Sequence, residues 1–169
     1  MTPPRDRDPG GRPRNSRPRD ELGRPLPRDA SADVPRIPDD LTVSPAEAAV
    51  LGGRMLAEGR PFHAHEVFEA AWKSGPAEER ELWQGLAQIA VGITHARRGN
   101  AVGAVALLRR GTRRVGGYRD TRARLYGIDP GFVADRAEEI AASIERSGLA
   151  AVPEAGLLLP LSPPARGER

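Results

Sequence analysis

Leu82, Trp83, Leu86, Ile89, Ala90 and Ile93 recur at helical spacing and form one broad apolar arc, with polar residues on the opposite side. The same periodicity holds from about residue 44 to 147, and no alternating stretch bounded by hairpin turns competes with it. Local signals divide this span. Ser44-Pro45-Ala46-Glu47 is a capping box with proline at the first helical position. Pro61, Pro76 and Pro130 suit the same first-turn role, with Gly75 as the cap before Pro76 and Asp129 as the cap before Pro130. Glu78 and Glu79 would then complement the dipole of the third helix. Gly99-Asn100 ends one helix and caps the next. The pattern predicts helices over 44–58, 61–73, 76–98, 100–116 and 130–147. Short connections make sequential neighbours antiparallel. The expected fold class is all-α: a compact antiparallel bundle of about five helices.

The second helix breaks the pattern. It reads Phe62-His63-Ala64-His65-Glu66-Val67-Phe68-Glu69-Ala70-Ala71-Trp72. At about 100° per residue, His65, Glu69 and Trp72 share one narrow sector, flanked by Phe62 and Phe68. An imidazole and a carboxylate one turn apart in an apolar stripe need compensation from each other, from partners across the bundle, or from a metal. The pair could hold one divalent ion, move a proton, or simply pin the packing through a hydrogen bond. The spacing is neither the His-Glu-x-x-His of zinc proteases nor the Glu-x-x-His of di-iron bundles. His63 falls about 160° away and reads as a surface residue. Trp72 and Trp83 read as core anchors.

The third helix carries Glu81, Gln84, Gln88 and His95 on one face, together with Gly85 and Gly92. Two glycines seven residues apart point to close approach of another backbone, or to room for a ligand. Folding the two helices back at Ser74 sets Glu81 opposite Glu69 and Gln84 opposite His65, with Gln88 level with Phe62. Glu81, Gln84 and Gln88 are therefore expected to line the site together with Trp72. His95 lies eleven residues beyond Gln84, about 16 Å along the axis at ~1.5 Å per residue. It is a secondary candidate, with dipole stabilisation at a helix C-terminus as its plainer role.

Composition places this core within the chain. All seven aromatic residues, three Phe, two Trp and two Tyr, lie between Phe62 and Phe132. The first 40 residues hold nine prolines, nine arginines, eight acidic residues and no aromatic. Such a segment cannot bury enough apolar surface to offset its ordering entropy, so residues 1–40 read as a disordered mixed-charge arm. The helical domain is expected over 41–150. Residues 151–169 form a loose tail in which the apolar run Leu157 to Leu159 can tuck against the core. The absence of cysteine excludes disulfides, thiolate metal sites and a cysteine nucleophile. No apolar run reaches transmembrane length, and the basic N-terminus has no apolar stretch of a secretory signal. A soluble, cytoplasmic protein is expected.

The formal net charge is +3. Nine arginines and one acid, Asp120, fall between Arg97 and Arg124, with Arg109, Arg110, Arg113 and Arg114 as a patch. The patch could meet phosphate, but no aromatic platform accompanies it beyond Tyr118 and Tyr126. Acidic residues also interrupt the arm, so nucleic acid is disfavoured as a partner. Self-association into a homo-oligomer suits so small a helical bundle.

The string His65-x-x-x-Glu69-x-x-Trp72 resembles the signature of the bacterial and archaeal family called domain of unknown function 309. Gln84-Gly85-Leu86-Ala87-Gln88-Ile89-Ala90, then His95, Gly99-Asn100, Gly103-Ala104 and Leu107-Leu108, are similar to that family's continuation. The resemblance covers about residues 55–115. It implies a compact α-helical domain with a suspected metal-binding role at His65, Glu69 and Trp72. The family's small hydroxyl residue after the tryptophan is Lys73 here, with Ser74 following.

Two readings follow. In the first, a buried His65–Glu69 site binds a divalent ion (zinc, manganese or iron) as the metal site of a hydrolase, its shell completed by Glu81, Gln84, water or a second chain. In the second, the pair is a structural polar network in a helical interaction module without chemistry. The sequence leaves open whether the protein is an enzyme, and it names no substrate.

Overall fold

The structure, a computed structural model, describes residues 9, 18–27, 29–30, 37–38, 40–120 and 126–165. The chain forms two units, Met1–Pro35 and Arg36–Arg169. In the first, residues 18–27 make a local turn. The Asp20 carboxylate accepts from the Leu22 and Arg24 amides at 3.0 and 2.8 Å and pairs with the Arg24 guanidinium at 2.7 Å. An isolated bridge joins Arg19 and Pro25. The disorder expected over 1–40 falls mostly outside the described residues.

Among its described residues, the second unit holds five α-helices: α1 (Pro45–Ala57), α2 (Pro61–Ser74), α3 (Arg80–Arg97), α4 (Ala101–Gly116) and α5 (Pro130–Ser147). Each packs on the next in sequence. The capping signals account for most boundaries. Ser44 and Glu47 form the capping box of α1, Asn100 accepts from the Gly103 amide, and Asp129 accepts from the Phe132 amide. The start of α3 departs from expectation. Gly75 closes α2, Pro76 is extended (ψ 143°), and a 3₁₀ turn over Ala77–Glu79 precedes the helix. Glu79 does not face solvent at a helix end. It is buried and accepts from the Trp83 indole at 3.0 Å and from the Tyr126 hydroxyl at 2.7 Å. Those two bonds compensate for the burial of its carboxylate.

Phe68, Trp83, Leu86, Ile89, Leu108 and Ile140 are among the fully enclosed core residues. The glycine seam joins α3 to α4. A Cβ on Gly85 would lie 2.8–3.1 Å from Val115, Arg114 and the Gly111 carbonyl, and one on Gly92 would lie 3.0 Å from the Leu108 backbone nitrogen. These glycines therefore serve close helix approach.

The apolar run of the tail tucks against the core, and more of the tail is held than expected. Leu157, Leu159 and Leu161 are buried. The Leu161 carbonyl accepts from the Asp129 amide at 2.8 Å, its side chain rests on Gly53 of α1, and Arg97 and Arg136 tie down Glu154 and the Gly156 carbonyl. The packed region therefore extends beyond residue 150. Among the described residues, no helix is long and apolar enough to cross a membrane.

Candidate functional site

The buried face of α2 is Pro61, His63, Ala64, Val67, Phe68 and Ala71. Its centre runs through Ala64, Val67 and Ala71. His65, Glu69 and Trp72 sit on one flank of that face and His63 on the other. This corrects two expectations. His63 is buried, at 4% exposure, because the buried arc reaches round to it. The His65–Glu69 pair is not buried as a unit: the side chains are 26% and 38% exposed.

The flank opens into a cleft of about 200 Å³ between α2, α3 and α4. His65, Glu69 and Trp72 line it from α2, Gln84 and Gln88 from α3, and Leu107 from α4. The hairpin register expected from the sequence thus assembles five of the candidate residues. Trp72 is half-buried at the cleft and packs against the core. Two candidates lie elsewhere. Glu81 pairs with Arg114 on α4, because the glycine seam draws α4 against that face of α3. His95 receives the Asn100 amide at Nδ1, 2.9 Å away, and takes part in the turn between α3 and α4. Leu107 was missed: its signal, a leucine on the α4 arc nearest α2, requires knowing how α4 crosses the hairpin.

The His65 Nε2 to Glu69 Oε2 distance is 3.4 Å. That exceeds the ~2.7–3.2 Å of a good N–H···O hydrogen bond. The other Glu69 oxygen is 2.9 Å from the Lys73 ammonium. Burial holds the His65 imidazole below the ordinary histidine value, against the opposing pull of Glu69, and the Lys73 charge adds to the depression. The ring is therefore neutral at pH 7, with a lone pair available on one nitrogen. Gln88 Oε1 is an enclosed atom without a hydrogen-bond partner. Among the described residues, no group of three or more histidine, aspartate or glutamate side chains is arranged to hold a metal ion. The cleft supplies two strong donors and amide oxygens.

Residues 50–107 match the family model described as domain of unknown function (DUF309). This segment, about a third of the chain, is similar to the DUF309 family. The matched stretch contains every residue named as lining the cleft. Uncharacterized protein YpuF of Bacillus subtilis (strain 168) is similar to the DUF309 segment, at 42% identity over 48 residues. The match covers 28% of this chain and 28% of that protein. No solved structure matches.

Proposed function

We propose that the DUF309 cleft binds a divalent cation through His65 Nε2 and Glu69, with the Gln88 amide oxygen as a weaker third donor. The 3.4 Å gap between imidazole nitrogen and carboxylate oxygen carries this reading. Two ligands at ~2.0–2.2 Å from a tetrahedral ion stand about 3.4 Å apart, so the side chains need little movement to share one. The neutral ring and the unpartnered Gln88 Oε1 support it. Zinc, manganese and iron(II) accept this mixture of nitrogen and oxygen donors. Such an ion, when bound, supplies Lewis-acid activation of water, and hydrolysis is the reaction class that fits. The chain's own residues hold the donors in place: α2 fixes His65 and Glu69 one turn apart, and Gln88 faces them from α3.

Lys73 favours a second reading. Its ammonium already neutralises Glu69 at 2.9 Å, as a structural His65–Glu69–Lys73 network in an interaction module would require. Elemental mass spectrometry on untagged protein separates the two. The cation reading expects near-stoichiometric metal, lost in the His65→Ala/Glu69→Ala double variant, with the helical circular dichroism kept. It also expects Lys73→Met to bind more tightly, because the competing cation is gone. Metal-free protein after dialysis against zinc, manganese and iron(II) would refute it and leave the structural network.

A further inference from the structure

α4 is buried along Ala104, Leu108, Gly111 and Val115. Its opposite side has an unusual composition. Val102 is 84% exposed in the first turn, and Ala106, Arg110 and Arg113 continue the exposed line toward the C-terminus. Beside this line, α4 and α5 enclose a groove of about 570 Å³, with Val102, Val105, Ala106 and Ile144 along its apolar part.

The arginine patch read from the sequence divides in two. Arg109 is held by α5, 3.2 Å from Glu138 and 2.8 Å from Glu145, and Arg114 is held by Glu81. Arg110 and Arg113 line the groove and have no carboxylate partner among the described residues. The groove therefore joins an apolar stretch at one end to two uncompensated guanidinium groups one turn apart at the other. Val102 and Arg113 are eleven positions apart, about three turns of helix, ~16 Å.

We propose that this groove docks an acidic amphipathic helix of a partner protein, lying antiparallel to α4. Charge complementarity selects the occupant. Two carboxylates one turn apart match Arg110 and Arg113 with charge-assisted hydrogen bonds. A helix tolerates acidic residues best in its first turn, where its dipole favours them. Setting that first turn against the C-terminal half of α4 fixes the antiparallel direction and lays the following apolar residues on Ile144, Ala106 and Val102. Nucleic acid fits less well, because the apolar Val102 end of the groove offers phosphates nothing. A second copy of this chain fits less well too. α1 has an acidic first turn and an exposed Val50, but the Glu47 carboxylate is engaged in the capping box with Ser44.

The test uses the full chain and a fluorescein-labelled synthetic helix of about 16 residues. The helix carries two glutamates one turn apart near its N-terminus, followed by leucines at helical spacing. Fluorescence anisotropy is expected to show saturable binding. The Arg110→Glu/Arg113→Glu protein should bind at least ~10-fold more weakly. A peptide with lysines in place of the glutamates should recover affinity for that variant alone. Val102→Asp, a surface change outside the charge cluster, should weaken binding of either peptide to its matched protein. Absence of saturable binding, equal affinity of wild type for both peptides, or indifference to the charge reversal would overturn the proposal. A concentration-dependent dimer in sedimentation that Val102→Asp abolishes would overturn it in favour of a second copy. Tighter binding of a duplex oligonucleotide, lost on the same charge reversal, would overturn it in favour of nucleic acid.

Discussion

An imidazole and a carboxylate one helical turn apart make unequal demands on their surroundings. Glu69 is partly exposed and pairs with Lys73 at 2.9 Å. His65 lies deeper, so its protonated form is disfavoured. The consequence for stability has a definite sign. The unfolded histidine titrates near 6.5, and the native ring titrates lower. Between those values the unfolded chain binds a proton that the native chain does not, so stability rises with pH across that window. The contribution is complete above the unfolded value and is lost as pH falls below it. Urea unfolding midpoints at about pH 7.5 and about pH 5.5 should therefore differ more for wild type than for His65→Gln. An equal difference in both proteins would show that the native ring protonates as readily as the unfolded one. Protons should also compete with any cation for Nε2, so metal uptake should weaken over the same window.

The helices themselves depend on two kinds of residue, caps and glycines. At the α3–α4 seam, an added methyl on Gly111 would sit 2.6 Å from the Gly85 carbonyl and 2.6 Å from Ile89. Alanine ordinarily stabilises a helix interior by about 1 kcal/mol relative to glycine. Here the collision is largely with backbone, so Gly111→Ala should instead destabilise by about 1–3 kcal/mol. Gly116, in the same helix, would bring its new methyl no closer than 3.9 Å to Ala134. Gly116→Ala should be neutral or stabilising by up to ~1 kcal/mol. Guanidinium denaturation of the pair checks both, and a stabilised Gly111→Ala would mean that the seam can open without cost. Such features also explain what could be read from the sequence. Caps at Ser44, Asn100 and Asp129 are local chemistry, legible without knowing any neighbour. The five-helix order and the grouping of His65, Glu69, Trp72, Gln84 and Gln88 followed from such boundaries and one hairpin register. Coverage by other helices is not local. Periodicity gave the angle between His63 and His65 but not which arc of α2 the bundle would cover. The same gap assigned Glu81 to the wrong neighbour, since nothing in α3 alone shows that α4 places Arg114 beside it.

For the molecule as a whole, the last described segment acts as a strap. It runs from Glu154, held by Arg97 of α3, past Arg136 of α5, to Leu161 against α1 and the start of α5. Three leucines go into the core along this path. Each is worth about 1.5–3 kcal/mol of burial, against ~5–15 kcal/mol for a typical domain. A chain ending at Gly156 should therefore melt far lower, or lose its cooperative transition, in calorimetry. A truncated protein with an unchanged midpoint would show that the strap only decorates the surface. The DUF309 match stops at residue 107, so α5 and this strap complete a core whose recognisable segment supplies only part of the enclosing surface. The same enclosure divides the two tryptophans. Trp83 is sealed, with its indole N–H bound to Glu79, whereas Trp72 faces the cleft. A water-soluble quencher such as iodide can reach one fluorophore and not the other. The unlabelled protein thus carries its own optical gauge: Trp72 emission follows what enters the cleft, and Trp83 supplies the constant reference.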